Sequence, residues 1–152
     1  MLRDDINEAL KTAMKGGDAR RVSTLRLVNS TLKNADIEAR GQGKPPLSDE
    51  DALGVLQKMI KQRQESAELY DKGNRADLAT QEREEIAIIS GYLPAQMSET
   101  EITDMIATLV KETGATAMKD MGKVMAAIKE RYAGKLDIAK ASAAVKKALT
   151  GS

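Results

Sequence analysis

The chain has 152 residues, 24 Lys and Arg against 23 Asp and Glu, and no cysteine, histidine, phenylalanine or tryptophan. Without thiols or imidazoles, disulfides, thiolate zinc sites, cysteine nucleophiles and the commonest general base are all excluded, and any metal site would be all-oxygen. Tyr70, Tyr92 and Tyr132 are the only aromatic residues, too few for recognition of bases by stacking on rings.

Apolar residues recur with helical spacing from the first turn onward. Leu2, Ile6, Ala9, Leu10, Ala13 and Met14 form a stripe that Lys15-Gly16-Gly17 stops. Asp18 caps a longer helix to about Arg40, with Val22, Leu25, Val28, Leu32 and Ala35 inward and Arg21, Arg26 and Lys33 on its other face. Gly41 to Pro46 is the clearest loop. Ser48 then caps a third helix running to about Asp71, with Leu53, Leu56, Ile60 and Tyr70 inward and Gly73 at its end. A fourth spans about Arg75 to Tyr92, with Leu78, Ile86 and Ile89 inward.

Pro94 cannot continue that helix and biases Leu93 toward extended backbone, which places the boundary between two parts there. Ser98-Glu99-Thr100-Glu101 is a capping-box start for a fifth helix that stops at Gly114. A sixth is predicted from about Lys119 to Tyr132 and a seventh from about Asp137 to Leu149. No period-two run and no Asn-Gly turn suggests a strand. The reading is a soluble, all-α protein: a four-helix N-terminal domain over 1–94, then a small three-helix C-terminal domain over 95–152.

Catalytic signatures are sparse. There is no phosphate loop and no dinucleotide-binding glycine turn. Ser30–Lys33 and Ser142–Lys146 have helical spacing but nothing that would activate a lysine. Glu82, Glu84 and Glu85 read as a solvated helix surface. Two stretches stand out, Lys58 to Ser66 and Lys119 to Met125. In the second, Gly122 falls in a first helical turn, where it costs about 1 kcal/mol against Ala. A backbone approached closely, by a packed helix or by a ligand, would account for it, and packing is the expected reason. Lys119 and Lys123 project together from the same helix start, where exposed amides would add positive potential.

Charge is uneven. Residues 47–97 carry six basic and ten acidic groups, whereas from Lys119 onward eight basic groups face only Asp120, Glu130 and Asp137. That excess is either a set of solvated helix faces or a basic surface for a polyanion.

These stretches and their neighbours resemble the YqeY family over nearly the whole chain. The resemblance lies in Thr24-Leu25-Arg26-Leu27-Val28 with Lys33-Asn34, and in Ile60-Lys61-Gln62-Arg63 with Glu65-Ser66. It continues through Arg75-Ala76-Asp77-Leu78-Ala79, Glu85-Ile86 and Tyr92-Leu93-Pro94-Ala95-Gln96 to Lys119-Asp120-Met121-Gly122-Lys123-Val124-Met125 and Val145-Lys146. Where the family usually reads Gly-Arg-Ala-Asp, this chain has Gly134-Lys135-Leu136-Asp137, which keeps the charge and loses the planar fork.

The family is related to the tail domain of the B subunit of the glutamine-dependent aspartyl/glutamyl-tRNA amidotransferase. In that enzyme the tail is held to contact the tRNA body, while catalysis lies in other domains. The resemblance therefore implies a tRNA- or RNA-associated accessory module that does not catalyse alone. A carbon–nitrogen ligase activity with glutamine as amido donor would be inherited from the larger relative. Binding is expected through Lys119, Lys123, Lys129, Arg131 and Lys135, by backbone electrostatics, with tRNA or another structured RNA as partner. A helical protein–protein adaptor, docking a translation-related protein, is the alternative. No cofactor, metal or membrane is expected, and the charged N-terminus without an apolar run points to the cytoplasm.

Overall fold

The computed structural model describes residues 1–151, and among them seven α-helices and one 3₁₀ turn follow in order, with no strand. They are α1 (Leu2–Gly16), α2 (Ala19–Gly41), α3 (Asp49–Lys72), α4 (Ala76–Ser90), α5 (Glu99–Thr113), the 3₁₀ turn Met118–Asp120, α6 (Met121–Tyr132) and α7 (Ile138–Thr150). The chain divides into two compact units, Met1–Leu93 and Pro94–Ser152.

Local chemistry sets most helix ends. Asp18, Ser48 and Asp137 accept N–H groups of the first turns of α2, α3 and α7. Ser98 and Glu101 form the reciprocal capping box that starts α5. Gly73 caps the end of α3 as expected, and Asn74 after it takes the left-handed conformation at φ 58°, which asparagine tolerates because its short polar side chain can bond locally. One end departs from expectation. α4 stops at Ser90, two residues before Tyr92, so the chain has already left the helix when it reaches Pro94.

In the N-terminal unit Ile6, Leu25, Val28, Leu32, Leu56 and Ile89 meet in one core. Ala52 and Met59 are buried with them, whereas Val22, Leu53 and Tyr70, expected inward, are only half-buried. Arg3 grips Asp36 with two bonds of 2.7 and 2.8 Å, and Asp36 also accepts the Leu47 N–H at 2.9 Å. One carboxylate thus joins α1, α2 and the loop entering α3. In the C-terminal unit the core is Met105, Ile106, Leu109, Val124, Ile128, Leu136, Ala141 and Val145.

In the carboxylate cluster of α4, Glu84 is exposed as its sequence indicated, but Glu85 is not part of a solvated surface. Glu85 is 13% exposed and bonds Arg63 at 3.0 Å, itself 12% exposed, with Arg20 at 3.8 Å. Arg63 also donates to the Met59 carbonyl, so the most polar residue of the Lys58–Ser66 stretch points inward, while Lys58, Lys61 and Gln62 stay outside. Because breaking a part-buried pair leaves its partner charged and largely desolvated, Glu85→Ala is expected to lower unfolding free energy by about 2 kcal/mol. Arg83→Ala, which unpairs the exposed Arg83 from Asp71, should have little effect beside it; urea unfolding followed by circular dichroism compares the two.

Candidate nucleic-acid interface

α6 buries Val124 and Ile128, with Met121, Met125 and Tyr132 packed against the same core. Its opposite face carries Gly122, Lys123, Ala126 and Lys129, all exposed, and Lys119 is exposed in the 3₁₀ turn just before it. At about 100° per residue, Lys123 and Lys129 fall on either side of the Gly122–Ala126 strip. A Cβ added at Gly122 would meet nothing within 4 Å. The packing reason expected for this glycine is therefore wrong: no neighbouring helix touches it, and the open backbone faces outward. Among the described residues no carboxylate lies within ion-pair distance of Lys119, Lys123 or Lys129.

The other two basic residues of the expected set are committed elsewhere. Arg131 projects about 160° away from Lys129 around the helix and bonds Glu112 of α5 at 2.7 Å. Lys135 is half-buried, with its ammonium 5.8 Å from the centre of the Tyr132 ring, a cation–π distance. The structure thus leaves Lys123 and Lys129 exposed on α6 and Lys119 exposed in the turn before it, and sets the other two positions apart.

Gln96 explains how the Lys135 loop is held. Its amide donates to the Gly134 carbonyl at 2.7 Å and the Pro94 carbonyl at 2.9 Å, and Met97 N–H donates to Lys135 O at 2.9 Å. Gly134 takes φ 75° there, a conformation glycine adopts without strain. Nothing in the composition of the segment marked Gln96; only its place in the family-like stretch did. Lys140, Lys146 and Lys147 are exposed on α7 and add to the positive field of this unit, although the expected set omitted them.

Asp120 modifies the expected helix-start potential. Its carboxylate accepts the N–H groups of Thr116 at 3.0 Å and Ala117 at 3.3 Å, so part of the amide cluster is already occupied. The Thr116 amide first, then the Ala117 amide and the charges of Lys123 and Lys119, hold its pKa below the ordinary value. A folded pKa lowered in this way adds stability that is complete above the unfolded value, near 3.8, and is lost as pH falls through the folded value. Asp120→Asn is therefore expected to flatten the acid-side loss of stability of the chain below about pH 4. Denaturant unfolding at a series of pH values checks this, and identical acid limbs for the two proteins would contradict it.

The chain is similar to known proteins over most of its length. A family model described as Yqey-like protein matches residues 3–149. A protein of Vanderwaltozyma polyspora named altered inheritance of mitochondria protein 41, mitochondrial, is 34% identical over 123 residues, covering 76% of this chain and 64% of its own length. Its namesake in Lachancea thermotolerans is 39% identical over 112 residues, covering 71% and 57%. An uncharacterized protein of Schizosaccharomyces pombe is 33% identical over 93 residues, covering 61% and 72%. The chain thus spans about three fifths of the length of the first two relatives.

Proposed function

The chain belongs to the YqeY family, and from that premise we propose that it is a non-catalytic accessory module that contacts tRNA or another structured RNA through the outward face of α6. The observation that carries this reading is the open Gly122–Ala126 strip flanked by Lys119, Lys123 and Lys129, none of them ion-paired within the described chain. Unpaired cations on both sides of a bare backbone let a phosphodiester chain approach closely and release its counterions. Arg131, paired with Glu112, and Lys135, held over the Tyr132 ring, stand apart from this face. No aromatic surface is needed, which suits a chain with three tyrosines.

The names of the fungal relatives place those proteins in mitochondria. We extend that location to this chain in preference to the cytoplasm, since both compartments hold tRNA. The cytoplasmic expectation rested on a missing apolar run, which does not separate the two. Among the described residues no helix is long and apolar enough to cross a membrane.

A second reading, docking of a protein partner, is favoured by one feature of the same unit. Thr103, Ile106 and Ala107 of α5 face Ala144 and Ala148 of α7 across a cleft of about 470 Å³, a shape that accepts an apolar side chain.

The RNA reading is tested by mobility shift of a tRNA transcript across a salt series. Lys119→Ala with Lys123→Ala is expected to flatten the slope of log affinity against log salt by about 1.5, at roughly 0.7–0.9 per phosphate contact. Gly122→Ala should raise stability by about 1 kcal/mol while giving no gain in binding. An unchanged slope in the double variant would contradict the assignment.

A further inference from the structure

Beyond α6, the exposed edge of α2 carries cations that no packing or ion pair among the described residues explains. On α2, Arg26, Ser30, Lys33, Ile37 and Arg40 are separated by four, three, four and three residues, and all are exposed. On a helix of 3.6 residues per turn that spacing keeps them within roughly 40° of a single line, over roughly 21 Å. Leu25, Val28 and Leu32, on the opposite side, are buried in the core. The stripe is therefore the outward edge of the N-terminal unit.

Its cations differ from the other arginines around them. Arg3, Arg20, Arg21, Arg63, Arg75 and Arg83 each have a carboxylate within ion-pair distance. Arg26, Lys33 and Arg40 have none among the described residues. The carboxylate whose acidity Arg40 helps to raise is Asp36, and that group is already bonded to Arg3 and the Leu47 amide.

A partner helix would need apolar side chains along the line, and only Ile37, 57% exposed, supplies one. Two guanidinium forks and one ammonium, with exposed Asn34 beside them on the same helix, instead match the oxygens of a phosphate backbone. Successive cations stand about 10 Å apart along the axis, far enough for each to meet a different phosphate.

We propose that the outward stripe of α2 is a second contact for RNA backbone, carried by the N-terminal unit. It rests on the reading of this chain as an RNA-binding module, and it uses residues outside the α6 face.

The experiment compares four full-length proteins on one tRNA transcript across a salt series. These are the wild type; Arg26→Ala with Lys33→Ala and Arg40→Ala; Lys15→Ala with Lys58→Ala and Lys72→Ala, which removes equal charge elsewhere on the unit; and Lys119→Ala with Lys123→Ala. The stripe variant is expected to lose about 2 from the salt slope, at roughly 0.7–0.9 per contact, and the equal-charge variant far less. Arg26→Lys with Arg40→Lys should keep most of the slope. Equal slopes for the stripe and equal-charge variants would overturn the inference while leaving the α6 reading intact. A stripe-dependent slope with a wild-type slope in the Lys119 and Lys123 variant would support it and remove the α6 assignment. Weakened binding of a polyglutamate peptide with unchanged tRNA binding would assign the stripe to an acidic protein and overturn it. Absence of wild-type binding would overturn both.

Discussion

With no phenylalanine or tryptophan to fill space, the buried cores of this chain depend on aliphatic side chains and on backbones that come close. Ala52, Ala67 and Ala79 in one unit and Ala115 and Ala141 in the other are buried for that reason. Leu, Ile and Val then interdigitate over them at interior packing density. Burying each such side chain stabilises by about 1.5–3 kcal/mol. Cores of this size leave little margin for error. They make the inward pairing of Arg63 with Glu85 consequential, because a buried charge that loses its partner costs far more than an exposed one.

The same shortage shapes how the surface can recognise anything. Rings that would hold unstacked bases are missing, so affinity for nucleic acid has to come from cations aimed at phosphates. On that basis ion pairing becomes the informative property of each basic residue. Arg131 and Arg83 are satisfied within the chain. Among the described residues Lys119, Lys123 and Lys129 have no ion pair, and neither have Arg26, Lys33 and Arg40. The proposed RNA contacts are two surfaces where cations without an ion pair among the described residues stand beside open backbone or along a straight helix edge.

Helix positions and most caps were legible because they depend on local chemistry. Asp18, Ser48, Ser98 and Asp137 bond amides three or fewer residues away, and the apolar period marks the buried face directly. What the sequence left open depends on distant partners. Glu85 looked solvated because Arg63 is 22 residues away and Arg20 lies on another helix. Arg131 looked available because Glu112 lies in α5. Gly122 was misread for the opposite reason: only the fold could show that nothing packs there. Its role on an outward strip between lysines is then open to a ligand instead of a helix.

RNA is proposed to meet this chain through charge on two outward helix faces. A titration of isotopically labelled protein with a tRNA transcript, read by amide chemical-shift changes, tests it most directly. Shifts should concentrate over residues 118–130 and along the Arg26–Arg40 edge, and fade as salt is raised. Shifts confined to the cleft lined by Thr103, Ala107, Ala144 and Ala148, or insensitive to salt, would contradict it.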